Sequence, residues 1–425
     1  MVSLWAYTHW PPSGGHHVRS VGATGAEDRH HEPGGGHDPA DGVGGPPVHQ
    51  KRSDHREVNM LNSCLAGREG REEFQYAVRV HSELWFYGDA ELARVLDLAQ
   101  AAGVTTIDTD VVWAALDQGD FDGSEARSTY DWKGLDRLVR EAEARGMKVN
   151  FQIATTPDWV HPYLAQEVPD KEVRKWYAPR GRAELVHFSA FVEDVARRYK
   201  GRVNHYEVWN EPNHEPFWRS GPDPGEYAAL LRAAYTSLKA ADPAARVVYG
   251  GLSLNNLGYL LEYYRAVKSS YPEAASKNYF FDALGLHPYE HPYHPQRAPG
   301  RYEQDVIGPL NDGEYDYIGE VDGNFLGFRR MKKLMDAEEH SSAKRLYLSE
   351  FGYRIVTGRL SDERRAHFLK RAYKLARSYP YVEGMCWFTF YANDTADPPE
   401  WAMLDEDLKP SLTYRALQQV TRANP

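Results

Sequence analysis

Cysteine is nearly absent from this chain: among 425 residues only Cys64 and Cys386 occur. That excludes a disulfide framework and nearly excludes a Cys-based metal site. Cys386 sits in an apolar run (Gly384-Met-Cys-Trp-Phe-Thr-Phe390) that reads as a buried strand. Positive charge is also scarce. With 50 Lys+Arg against 61 Asp+Glu the formal net charge is −11 and the pI about 5.9, so the basic stripe that a phosphate backbone requires is missing and no nucleic-acid partner is expected. No apolar run is long enough to span a bilayer, so no membrane partner is expected either. The first ten residues lack a basic n-region, and Pro11-Pro12 arrive before an apolar run can form, which makes a cytoplasmic protein the expectation. Neither G-x-G-x-x-G nor G-x-x-x-x-G-K-[ST] appears, nor does HExxH; the sequence therefore gives no reason to expect a nucleotide, a metal or any other cofactor.

What is present divides into two parts. Residues 1–70 are rich in Gly, Pro and His (Gly34-Gly-Gly-His-Asp-Pro39, Gly42-Val-Gly-Gly-Pro-Pro47), hold eight of the 18 histidines, and show neither helical nor strand periodicity. They are expected to be a disordered extension. Residues 71–425 alternate short apolar runs with amphipathic segments, the signature of βα units. Strands are expected at 76–81, 105–109, 148–153, 204–208, 246–249, 281–285, 345–349 and 384–387. Helices are expected near 89–102, 132–145, 184–199, 225–241, 257–269, 324–339, 361–378 and 410–422. Eight strands, each followed by a helix, is the count of a closed (β/α)8 TIM barrel of the α/β class, and the absence of a glycine-rich phosphate loop argues against an open doubly wound sheet.

In such a barrel the active site lies at the C-terminal ends of the strands, so the polar residue ending each run carries the functional weight. The fourth run continues as Trp209-Asn-Glu-Pro-Asn213 and the seventh as Ser349-Glu-Phe-Gly352. Barrel closure places Glu211 and Glu350 on opposite sides of one pocket. Two carboxylates about 5–5.5 Å apart are the apparatus of retaining glycoside hydrolysis, one protonated to release the leaving oxygen and one ionised to attack the anomeric carbon. Repulsion between them separates their proton affinities. The 11 Trp and 28 Tyr also suit a sugar-binding cleft. Trp159, in Thr155-Thr-Pro-Asp-Trp159, and Trp218, in Phe217-Trp218, follow the third and fourth runs, where each would deliver an indole to the rim as a substrate platform.

These motifs together resemble clan A of the glycoside hydrolases, nearest in flavour to family 39 and its relatives, over residues 75–425. The resemblance implies a retaining glycosidase acting on an oligosaccharide or polysaccharide, with Glu211 as acid/base, Glu350 as nucleophile, and Asn210 bonding the sugar 2-hydroxyl. Gly285-Leu-His-Pro-Tyr289 is similar to the clan's His-x-Tyr; it makes His287 a cleft residue and Tyr289 the hydroxyl that holds the nucleophile. Trp387 matches the clan's aromatic at the floor of the sugar subsite, and Trp401 to Pro410 with the last helix resembles its closing segment. One position departs: Asp108 stands near the end of the second strand, where many clan members carry an arginine that supports the nucleophile. Either Asp108 points elsewhere or Glu350 is ordered by other means.

Two other readings stay open on sequence alone. A catalytically silent barrel that binds carbohydrate would be expected to have lost one glutamate, and both are present. A metal-dependent barrel hydrolase would use ligands such as His287, His291 and His294, which a surface loop explains more simply. Which sugar and linkage are cleaved, whether action is internal or terminal, and the oligomeric state do not follow from the sequence.

Overall fold

A computed structural model describes residues 73–82, 88–121, 123, 128–289, 325–358, 360–391 and 399–423. The expected N-terminal extension, and His291 and His294, lie outside the described residues. Eight parallel strands close into a barrel in sequence order: β1 Gln75–Arg79, β2 Thr106–Val112, β3 Lys148–Ala154, β4 Val203–Val208, β5 Val247–Ser253, β6 Ala283–His287, β7 Arg345–Phe351 and β8 Val382–Trp387. The seam pairs β1 with β8, Ala77 opposite Cys386. Among the described residues, the helices of eight residues or more are α1 Asp89–Ala101, α2 Lys133–Ala144, α3 Gly181–Arg198, α4 Pro224–Ala241, α5 Leu257–Ser270, α6 Phe328–Glu339, α7 Asp362–Ser378 and α8 Leu412–Arg422. None of the described helices is long and apolar enough to cross a membrane.

Several helix starts are written into single side chains. Asp223 accepts from the Gly225 and Glu226 amides ahead of Pro224 at the first turn of α4, Asn256 caps α5, and Ser361 and Ser411 cap α7 and α8. Each satisfies amide donors that the helix itself leaves orphaned, worth about 1 kcal/mol apiece.

The expected and observed strands differ mainly at their C-terminal ends, where the site is. β5 runs on to Ser253 rather than stopping before Gly250-Gly251. Those glycines look like terminators, but they are spacers inside the strand: a Cβ at Gly250 would lie 2.6 Å from the Val208 carbonyl oxygen. β6 begins at Ala283, two residues later than expected, so that His287 ends it.

Strand alternation sorts the side chains into two populations. Outward, Val78, Ile107, Val149, Phe151, Tyr206, Leu284 and Leu346 are buried against the helices. Each contributes about 1.5–3 kcal/mol by leaving water. Inward, a small apolar layer (Ala77, Val248, Ala283, Tyr347, Cys386) shares the barrel interior with polar groups where aliphatic layers are usual. Asn150 Nδ2 donates to Asp108 (2.9 Å), and the Tyr347 hydroxyl donates to Asp108 as well (2.7 Å). Asn204 donates to Gln75 (2.9 Å) and to Asn150 (3.1 Å). Buried polar groups are tolerated on these terms because they satisfy one another.

Candidate active site

Glu211 and Glu350 stand at the strand ends of β4 and β7, with His287, from the end of β6, between them. Backbone strain marks the β4 end: Trp209 and Glu211 both adopt positive φ, at 72° and 40°, a conformation costing roughly 1–3 kcal/mol for a non-glycine residue and kept only where surroundings enforce it. The enforcement is visible. The Trp209 indole N–H donates to the Phe217 carbonyl (2.7 Å). Asn213 pins the turn to β5 from both sides, donating to the Ser253 carbonyl (3.0 Å) and accepting from the Ser253 amide (2.9 Å).

The Glu211 carboxylate is gripped at both oxygens. His287 Nδ1 lies 2.9 Å from Oε1 and His214 Nδ1 lies 2.9 Å from Oε2. Glu350 is held differently: the Tyr289 hydroxyl donates to its Oε1 at 2.6 Å, and Arg79 approaches Oε2 at 4.0 Å. Gly251 makes room for the bridging imidazole, since a Cβ there would fall 2.0 Å from His287 Nε2. That nitrogen lies 3.9 Å from a Glu350 oxygen and 3.9 Å from Glu207. Asn210, next to Glu211, accepts from Gln152 (3.1 Å), which turns the donor side of its amide away from Gln152.

Three proton affinities are tied together here. Burial works against the Glu211 charge, but hydrogen bonds and positive charge from His214 and His287 outweigh it and hold the carboxyl at about 2. Glu350 is raised, by burial first and by the nearby Glu211 charge, against the pull of His287, Arg79 and Tyr289. His287 is raised too: burial disfavours its charge, yet Glu350 and Glu211 more than compensate. The hydrogen bonds and charges thus favour the ionised form of Glu211 and strengthen the hold of His287 on a proton, with Nδ1 facing Glu211 and Nε2 facing Glu350.

Glu211, His287 and Glu350 each offer a ligand atom within 4.8 Å of the other two, a spacing that would admit a cation. The donor set fits a proton better than a metal, because both Glu211 oxygens already face imidazole nitrogens and a Glu350 oxygen takes the Tyr289 hydroxyl.

The position of Asp108 is resolved by Arg79, which ends β1 two residues before the expected strand end. Asp108 points into the barrel, where Tyr347 and Asn150 hold it and burial raises it to about 7. The guanidinium near Glu350 is Arg79, which also donates to Asp110 at 3.0 Å. Asp110 in turn meets His81 at 2.7 Å. Although burial opposes the Asp110 charge, His81 and Arg79 bring that carboxyl down to about 2.

Two expected aromatics require correction. Trp218 is not a rim platform: it is 0% exposed and packs edge-on against Trp209 and Tyr227, because the turn after Glu211 folds the chain back over its own strand. Trp387 does not form the pocket floor. Cys386 faces inward, so its neighbour faces outward, against Phe351 and Tyr353. The residue on the pocket side is Phe388, grouped with Tyr289 and Leu254 and backed by the half-buried Trp401. Trp159 is half-buried; its indole N–H donates to Asp117 (2.9 Å) and one ring face is covered by Phe121, centroids 4.0 Å apart, so it braces the loops after β2 and β3.

No family model matches this sequence. Among solved structures, the chain is similar to a family 39 glycoside hydrolase from the gut symbiont Bacteroides cellulosilyticus (TM-score 0.60, 21% identity, 82% of this chain and 63% of that one). It is also similar to the family 39 enzyme from Xanthomonas axonopodis pv. citri (TM-score 0.58, 18% identity, 84% and 68%). A third is xylanase 10B from Thermotoga petrophila, solved with xylobiose (TM-score 0.52, 17% identity, 88% and 99%). The chain thus spans about two thirds of the family 39 structures it matches. At these identities the likeness is one of fold: an eight-stranded parallel barrel shared with these enzymes.

Proposed function

We propose that the chain is a retaining glycosidase that cleaves oligosaccharides or polysaccharides through a covalent glycosyl–Glu350 intermediate. The observation that carries this reading is the spacing of the two glutamates. Ligand oxygens of Glu211 and Glu350 lie within 4.8 Å of each other, near the roughly 5–5.5 Å of retaining enzymes and well short of the roughly 6.5–9.5 Å that leaves room for an inverting water.

Glu211 protonates the glycosidic oxygen as the bond to the anomeric carbon breaks and Glu350 forms its ester at that carbon. A water then replaces the leaving group, gives its proton to Glu211, and displaces Glu350. The amide of Asn210 bonds the sugar 2-hydroxyl as the transition state forms, and Tyr289 holds the nucleophile at its firing angle. Trp401 and Phe388 supply the apolar face on which the sugar ring packs. The fold neighbours include proteins described as a β-xylosidase, a glucosidase, an exo-β-1,4-mannosidase and a β-galactosidase, so the substrate panel spans these four sugars.

Hydrolysis of aryl β-xyloside, glucoside, galactoside and mannoside by the wild type, Glu350→Ala and Glu211→Ala, with azide added to the variants, tests the assignment. The expected result is turnover of at least one glycoside by the wild type, an inverted glycosyl azide from Glu350→Ala and a retained one from Glu211→Ala. A wild-type product of inverted configuration would refute it.

A further inference from the structure

We propose that His214 is a positioning residue for the acid/base: it fixes the second oxygen of Glu211 and, as an imidazolium, shares the proton that makes Glu211 an acid. The inference rests on the glycosidase reading and extends it to a residue that neither the sequence motif nor the fold likeness singles out.

Three observations carry it. The first is contact, since His214 Nδ1 stands 2.9 Å from Glu211 Oε2, the oxygen His287 does not use. The second is a fixed backbone. The His214 amide donates to the Glu211 carbonyl (2.9 Å), its own carbonyl accepts from the Phe217 and Trp218 amides (3.0 Å each), and the Phe217 ring packs edge-on against the imidazole, 5.7 Å between centroids. An imidazole held this firmly has little freedom to leave the carboxylate. The third is access. His287 is 0% exposed and Glu211 1%, whereas His214 is 7% exposed, so of the three groups in line it is the one nearest solvent and the one through which the line can exchange a proton.

The charged and titratable groups facing this pair, among the described residues, are His287 from β6 on the other Glu211 oxygen, Glu350 from β7 behind that imidazole, and Glu207 from β4. At 2.9 Å a proton between Glu211 and His214 has two sites to occupy, so it belongs to the pair. In the forward step the shared proton passes from His214 Nδ1 through Glu211 to the leaving oxygen, which leaves the imidazole neutral and Glu211 ionised. In the second step the proton taken from water returns along the same line, so the count closes over one turnover.

The decisive variant is His214→Asn, which keeps a side-chain N–H for Glu211 but cannot carry the extra proton. Measured on full-length protein with phenyl and 2,4-dinitrophenyl glycosides of the best panel sugar, kcat/KM for the phenyl substrate is expected to fall about tenfold or more above the wild-type pH optimum. Its basic limb moves to lower pH. The dinitrophenyl substrate, whose leaving group needs no proton, stays within about threefold of wild type and reports that the variant is folded. Equal losses on both substrates, or an unmoved basic limb, would overturn the proposal. A second readout needs no turnover: in a histidine-selective 15N NMR titration, the His214 signals of the wild type and of Glu211→Gln are expected to follow different pH curves, and superimposable curves overturn the proposal. Wild-type inactivity on every glycoside would count against the glycosidase reading alone, while the NMR curves still decide the Glu211–His214 pair.

Discussion

The two glutamates sit across one pocket but in opposite kinds of surroundings. On the β4 side Glu211 is clamped at both oxygens by imidazoles and is almost wholly buried. On the β7 side Glu350 has a tyrosine hydroxyl, a guanidinium at 4.0 Å and a side chain left 13% exposed. In the proposed mechanism, imidazoles surround the residue that passes a proton on, while a hydroxyl and a guanidinium surround the residue that attacks. His287, touching both walls, couples them.

Breaking either wall should have unequal consequences. Glu350→Ala, with no group left to form the ester, should lose about 10⁴-fold or more of kcat on every substrate regardless of leaving group. Glu211→Ala should lose about 10²–10⁴-fold on a phenyl glycoside and far less on a dinitrophenyl glycoside. Steady-state kinetics with the paired substrates checks both, and a Glu211→Ala loss independent of the leaving group would contradict the assignment.

Next in size is the bridge itself. Gly251→Ala places a methyl 2.0 Å from His287 Nε2, so the imidazole must move and release Glu211. The same kinetics should show roughly a tenfold loss in kcat/KM, comparable to a general acid with its geometry spoiled. A variant with wild-type activity would mean that the bridge is dispensable.

The last effect concerns stability and not rate. Burial raises Asp108 to about 7 in the folded protein, against an ordinary value near 4 for an unfolded aspartate. A raised acid favours the folded state while it remains protonated. Its contribution is complete below about pH 4 and is lost as pH rises to about 7, at no more than about 1.4 kcal/mol per pH unit. Asp108→Asn should flatten that part of the stability–pH curve measured by denaturant unfolding. An unchanged slope between pH 4 and 7 would show that another group is responsible.

Most of the architecture was legible in the sequence because barrel strands announce themselves as apolar runs, and the helices between them as amphipathic segments with caps. The two glutamates were legible because they end such runs. What escaped is what period-two alternation and turn geometry decide. Trp387 and Phe388 are adjacent, and only the inward direction of Cys386 tells which faces the pocket. Trp218 follows a turn that folds inward, which no local pattern signals. Arg79 was hidden in a run that looked like uninterrupted strand. His214, three residues beyond Glu211, acquires its meaning only when positive φ values at Trp209 and Glu211 bring it back to the carboxylate.

The proposed mechanism requires a covalent bond between the sugar and Glu350. Incubating the wild type with a 2-deoxy-2-fluoro glycosyl fluoride of the sugar it cleaves, followed by peptide mass spectrometry, reads that bond. The predicted result is one glycosyl adduct per chain on the peptide containing Ser349-Glu350-Phe351, lost on incubation with an acceptor as activity returns. Inactivation without an adduct, or an adduct on any other side chain, would contradict it.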